Sequence, residues 1–130
     1  MRLVSLMTLG AFLALPALAK PPLSSVSSID NGLMAVAIAD EIRKTCDGID
    51  ARMLRALSTL NALKAEARSL GYSDDEIEDY VTSKNEKRRM RAKAEAYLAS
   101  QGVDSGDSAA LCRFGAAEIA RASAIGVLLR

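Results

Sequence analysis

Cys46 and Cys112 are the two cysteines of this 130-residue chain, and the chain has no histidine. This pair constrains the fold more than any other feature. Without histidine the commonest general base and the commonest metal ligand are both missing, so neither a Ser-His-Asp nor a Cys-His site can be assembled. Haem attachment through C-x-x-C-H is excluded for the same reason. Two thiolates with no histidine leave a zinc site short of its usual ligands. Two thiols this far apart in sequence also lack the adjacent C-x-x-C spacing of redox centres. What remains for the pair is a structural disulfide, provided the chain reaches an oxidising compartment.

The N-terminus predicts that it does. Met1-Arg2 is a short basic start, Leu3 to Leu15 is uncharged and almost wholly apolar or small, and Pro16-Ala17-Leu18-Ala19 ends in an A-x-A pattern ahead of Lys20. This is the layout of a signal peptide over residues 1–19, cleaved after Ala19. The apolar run is shorter than the roughly 20 residues of a membrane-spanning helix. No cysteine follows it, which excludes the usual lipoprotein form. The expected location is the periplasm. Lys20 to Arg130 is then one domain's worth of chain. The whole chain carries 17 basic and 16 acidic side chains, so losing Arg2 leaves the charges balanced. No overall field draws such a protein to nucleic acid.

Along the chain, residues 20–29 read as a flexible linker. Two prolines and a cluster of serines in Lys20–Ser28 bury too little to fold alone. The helical domain is expected over 30–130. Its first helix has Asp30 or Asn31 as N-cap and Ala35, Ile38, Ile42 and Cys46 at helical spacing on the inner face. Asp47-Gly48-Ile49-Asp50 breaks it, with Gly48 as a left-handed cap or turn and Asp50 placed to cap the next helix. The second helix runs from about Ala51 to Leu70. Its inner stripe is predicted to be Met53, Leu57, Leu60, Leu63, Ala67 and Leu70, broadened by Leu54. Gly71 stops it, and Tyr72 stands where a Schellman motif makes its apolar contact.

Two capping-box matches follow, Ser73 with Glu76 and Ser83 with Glu86. They predict a third helix ending near Thr82 and a fourth starting at Lys84, with one kinked helix as the rival arrangement. The fourth helix extends to about Ser100, and Gln101-Gly102-Val103 ends it. A fifth runs from about Ser108 toward the C-terminus, with Cys112, Gly115, Ile119, Ala122 and Gly126 on one face for close packing. No segment shows sustained two-residue alternation, so no sheet is expected. The fold class is all-α, a small bundle of four to five helices closed by one disulfide, Cys46–Cys112. Closing that loop contributes roughly 4 kcal/mol in the chain-entropy treatment.

The charged segment Asp74–Lys93 is the candidate interaction site. An acidic block (Asp74, Asp75, Glu76, Glu78, Asp79) precedes a basic one, and Lys84, Lys87, Arg88 and Arg91 share a helix face opposite Met90, Ala94 and Tyr97. The plainest reading is a solvated face. The functional one is docking to an acidic envelope protein or an anionic membrane surface. No aromatic residues interleave with these cations as in nucleic-acid binding. Asp104-Ser105-Gly106-Asp107 lacks the glycine position and closing glutamate of a calcium loop. Gly-rich phosphate loops and G-x-S-x-G are absent. No catalytic residues, cofactor or small-molecule substrate are expected.

The runs Ile38–Cys46 (IADEIRKTC), Gly71–Val81 (GYSDDEIEDYV) and the helix around Cys112 (LCRFGAAEIARASAIGVLLR) resemble a family of short exported alphaproteobacterial proteins of unknown function. Members are associated with respiratory NADH dehydrogenase gene clusters, and some carry the label of that enzyme's two-iron subunit. The resemblance implies an accessory role at the envelope. The genuine bearer of that label holds its two-iron cluster on four cysteines at the cytoplasmic side. This chain has two cysteines and an export signal, so that role is not implied, and the family supplies no catalytic residues. The leading expectation is therefore a non-enzymatic periplasmic interaction or accessory protein. Two other readings stand beside it: a chaperone whose apolar faces open in acid, and a thiol-disulfide enzyme.

Overall fold

A computed structural model describes residues 20–130, so the expected signal peptide lies outside the described residues. Five α-helices follow one another: α1 Ser27–Thr45, α2 Met53–Ser69, α3 Asp74–Thr82, α4 Lys84–Ser100 and α5 Ser108–Ala120. Short 3₁₀ turns at Leu23–Ser25 and Gly126–Leu128 flank them. The all-α class and the Cys46–Cys112 disulfide are as expected.

Helix α1 is the axis of the bundle and packs against α2, α4 and α5. Its repeat of Ala35, Ile38, Ala39 and Ile42 enters the main core. There it meets Leu98 of α4, Val103, Leu111 and Phe114 of α5, and the C-terminal Ile125, Leu128 and Leu129. The close approach of α1 and α5 depends on Gly115, where an added Cβ would lie 2.8 Å from Ile42 Cγ2.

Helix ends follow local sequence closely. Gly71 adopts φ +91°, its amide donates to the Arg68 carbonyl (3.0 Å), and the Tyr72 amide reaches Ala67 (3.1 Å). That is a Schellman motif, with Tyr72 buried as expected. Gly102 (φ +75°) and Val103 end α4 in the same way. Ser73 forms a full capping box with Glu76, at 3.1 Å and 2.6 Å. Ser83 separates α3 from α4 with an extended backbone, ψ 124°, so the two are distinct helices.

Five expectations are corrected. The segment 20–29 is not a free linker. Leu23 is buried with Ile29, Ala67, Tyr72 and Ile77 in a second apolar cluster, and Lys20 donates to the Gly71 carbonyl (2.6 Å) and pairs with Glu76 (2.9 Å). The Tyr72 hydroxyl donates to the Pro21 carbonyl. Composition weighs the prolines and serines of this segment but not the single leucine that anchors it. Helix α1 accordingly starts at Ser27, behind Val26, and Asp30 lies inside it rather than capping it.

Asp50 does not cap α2, whose N-cap is Arg52. Its backbone pairs instead with Arg130, at 2.8 Å and 2.9 Å, next to an isolated antiparallel bridge between Ala51 and Leu129. The fifth helix does not continue to the C-terminus. It ends at Ala120, Ala122 takes φ +50°, and the tail turns back to lie against the α1–α2 connection. Ala122 and Gly126 therefore leave the helix face on which periodicity places them.

The last correction concerns α2. Of its predicted inner stripe only Ala67 is buried, while Met53, Leu54 and Leu57 are 63%, 85% and 55% exposed. Helix α2 docks through Leu63 and Ala67 of that stripe together with Ala56, with Leu63 Cδ2 lying 2.7 Å from where a Cβ on Gly32 would stand.

The returning tail provides a sharp stability test. A Cβ on Gly126 would lie 1.8 Å from the Glu118 carbonyl oxygen and 2.7 Å from the Ile119 nitrogen. Backbone cannot yield as a side-chain tip can. Gly126→Ala is expected to cost about 2 kcal/mol, as overpacking in a tight core does. Chemical denaturation measures it, and an unchanged midpoint would show that the tail is not held against α5.

Candidate functional site

The surface of interest is built by α4 and the helices on either side of it. Ser83 Oγ caps α4 by accepting from the Glu86 amide at 3.2 Å. Glu86 does not complete the second capping box; its carboxylate takes Arg89 Nε at 2.8 Å. From this start the basic residues of α4 divide between two faces.

Arg89 and Lys93 turn toward α1 and converge on Asp30, which is 4% exposed. Both Arg89 and Lys93 form ion pairs with its carboxylate. The Tyr80 hydroxyl donates to Asp30 Oδ1 at 3.1 Å, and Lys93 also reaches Asn31 Oδ1 at 2.7 Å. Burial pushes the Asp30 carboxyl upward, but the hydrogen bonds from Arg89, Lys93 and Tyr80 outweigh it and hold the pKa below the ordinary carboxylate value. Burial first, and then the hydrogen bond to Asp30 followed by its charge, push the Tyr80 phenol up to about 12. The cluster pins the N-terminal half of α1 to α3 and α4. Sequence reading misses it by assigning Asp30 as a cap. Its spacing of four from Met34 and eight from Ile38 places it on the inward side of α1 and is the available signal.

Lys84, Lys87, Arg88 and Arg91 all lie exposed. Among the described residues none of the four pairs with a carboxylate. Arg88 is steadied by Asn85 Oδ1. The acidic block on α3 is only partly neutralised. Asp74 takes Arg68 at 2.7 Å and Glu76 takes Lys20, and these partners hold both carboxyls below their usual range. Asp75, Glu78 and Asp79 stay exposed. An acidic helix and a cationic helix thus meet at the single residue Ser83.

Beside this row lies a cavity of about 370 Å³. Leu33, Val36 and Ala37 of α1 form one wall, Met53, Ala56 and Leu60 of α2 another, and Tyr80, Val81 and Met90 close it from α3 and α4. Charged groups stand only at the rim: Asp40 and Arg43 from α1, Glu86 and Lys87 from α4. The part-exposed Leu60, expected in the inner stripe of α2, is a wall of this cavity rather than core, and so is Val81 of α3.

Neither cysteine of the disulfide lines the cavity. Cys46 is buried and Cys112 half-buried, their Cα atoms are 5.6 Å apart, and there is no free cysteine among the described residues. Among those residues no three cysteine or carboxylate side chains gather as a metal site would need, and no helix is long and apolar enough to cross a membrane.

A family model matches residues 21–130, the whole of the described fold except Lys20. The chain belongs to DUF5333, a family of unknown function. No curated protein and no solved structure matches it. The family match begins at Pro21, so it takes in the anchoring Leu23 segment together with the five helices.

Proposed function

We propose that this DUF5333 member is an exported, non-enzymatic accessory protein that docks an acidic surface of a larger envelope assembly through α4. The observation that carries this reading is the row Lys84, Lys87, Arg88 and Arg91, exposed and without carboxylate partners among the described residues. Like charges at helical spacing repel one another and contribute nothing to folding. Their effect is directed outward, as a positive strip that steers an acidic partner and sets its register. A protein partner fits better than a bilayer. A uniformly anionic plane would meet α3 with Asp75, Glu78 and Asp79 as well as α4, whereas a protein surface can match both signs.

Export is supported by the N-terminal pattern of residues 1–19 and by the disulfide, which persists in oxidising compartments. The resemblance to proteins associated with respiratory NADH dehydrogenase makes a respiratory complex of the envelope the assembly to examine first. The test uses the triple variant Lys84→Glu, Arg88→Glu, Arg91→Glu. Wild type cross-linked in envelope membranes is expected to capture a partner, less of it when salt is raised before cross-linking, and the variant none. Stability should change by less than about 0.5 kcal/mol, as at exposed positions generally. Identical cross-linking profiles would remove the row from the function.

A further inference from the structure

We infer that the cavity between α1, α2 and α4 is a binding site for a single-chain anionic amphiphile of the long-chain carboxylate class. The proposal goes beyond the docking role of α4 and rests on a different observation, the shape and chemistry of the cavity itself. Its volume, about 370 Å³, falls in the roughly 300–1,000 Å³ range of small-molecule sites. At about 30 Å³ for a methylene-sized group, the share of one water molecule in the liquid, it holds about a dozen such groups. That is one alkyl chain and not the two of a bilayer phospholipid.

Apart from Tyr80, whose hydroxyl donates to Asp30 at 3.1 Å, the uncharged walls carry no hydrogen-bonding side chain that would orient a polar ligand body. Leu33, Val36, Met53, Leu60, Val81 and Met90 offer only aliphatic and thioether surface, and the two methionines adapt to a flexible chain. Polarity is confined to the rim, where its sign is set by counting partners. Asp40 is shared by Arg43, at 2.7 Å, and Lys44. Glu86 is taken by Arg89. Lys87 has no carboxylate partner among the described residues. The four charged rim groups balance in number, but Asp40, Arg43 and Glu86 are all ion-paired, which leaves Lys87 as the cation free to meet a ligand at the mouth of an apolar slot. An apolar tail inside and a carboxylate at Lys87 satisfy both parts, while a cationic head leaves Lys87 without a partner.

The experiment compares laurate with dodecyltrimethylammonium, equal in chain length and opposite in head charge, by calorimetric titration below micelle formation, with phosphatidylglycerol vesicles as a separate arm. Laurate is expected to bind and the cationic chain to bind at least about fivefold more weakly, the effect of an exposed ion pair made and then reversed. Leu60→Asp and Val81→Asp, both at part-exposed positions that leave the core intact, should each weaken laurate about tenfold or more by placing an unpaired charge in the slot. Lys87→Glu should weaken laurate and narrow the difference between the two chains. The α4 variant Lys84→Glu, Arg88→Glu, Arg91→Glu should bind laurate as wild type does, so loss of the docking role and loss of this site are separable. Absence of laurate binding, equal binding of the two chains, or indifference to Leu60→Asp and Val81→Asp would overturn the proposal. Vesicle binding without binding of free laurate would overturn it too, in favour of a lipid surface.

Discussion

Cys46→Ala combined with Cys112→Ala is expected to lower the unfolding free energy by about 4 kcal/mol. The bridge closes a loop of sequence separation 66, and the loop-entropy treatment places such a loop between the ~3 kcal/mol of a short one and the ~4.7 kcal/mol of a hundred-residue one. Small domains hold only about 5–15 kcal/mol in total, so the loss is a large share of the stability. The structure says where it falls. Cys46 follows the last turn of α1 and Cys112 is on α5, so the loop between them encloses α2, α3 and α4. The buried Cys46 also packs with Ile42, Leu111 and Leu129 in the main core, and the same substitution thins that contact. Urea denaturation of the variant, beside wild type in reductant, measures the effect. The two should agree, and a midpoint unchanged in both would show that helix packing alone closes the bundle. The result also bears on the thiol-disulfide alternative, since a bond that stabilises this strongly resists reduction.

Asp30→Ala carries the second-largest expected effect, a loss of about 3 kcal/mol. Deleting one member of a buried ion-paired set typically costs 3–5 kcal/mol, because the remaining charges are left uncompensated. The lower end applies because Arg89 and Lys93 are about a third exposed and can turn toward water. Asp30→Asn keeps part of the hydrogen bonding and should cost less. The pH dependence separates charge from packing. The folded-state pKa of Asp30 is depressed, so its contribution is fully present above the unfolded value of about 3.9 and is lost as pH falls through the lower folded value. The stability gap between wild type and Asp30→Asn should stay constant from neutrality to about pH 5 and shrink below about pH 4. A gap that stays open in acid would show that the Asp30 charge is not what matters. An acid-triggered chaperone, the alternative raised from composition, would have to work below that pH, where this clasp opens.

Much of the fold is legible because its determinants are local. Gly71 with Tyr72, Gly102 with Val103, and Ser73 with Glu76 each act over a few residues, and each ends or starts a helix where the sequence places it. Ser83 decides between two helices and one kinked helix through a side chain capping its own neighbour. The outer cations of α4 are legible for the same reason, since helical spacing alone puts Lys84, Lys87, Arg88 and Arg91 on one side. Arg89 and Lys93 fall inside the same basic block, and nothing local distinguishes them. Their partner is Asp30, 59 and 63 positions away in sequence.

By itself the sequence determined the helical class, the helix ends set by local caps around Gly71, Ser73, Ser83 and Gly102, the disulfide pairing and the chemistry that two thiols without histidine cannot perform. All of these follow from short-range geometry or from which residue types are present. Only the tertiary structure decided that Leu23 anchors the supposed linker, that the C-terminal tail returns to Asp50 and Ala51, and that Asp30 gathers cations from α4. It also decided the fate of α2. Periodicity shows that a helix has an apolar face, but covering that face requires another element at the right distance and angle. Helix α2 turns Ala56, Leu63 and Ala67 inward and leaves Met53 and Leu60 lining an open slot. Hydrophobic burial is non-directional and proportional to area, so the pattern cannot specify which part of an apolar stripe becomes core and which becomes a binding surface.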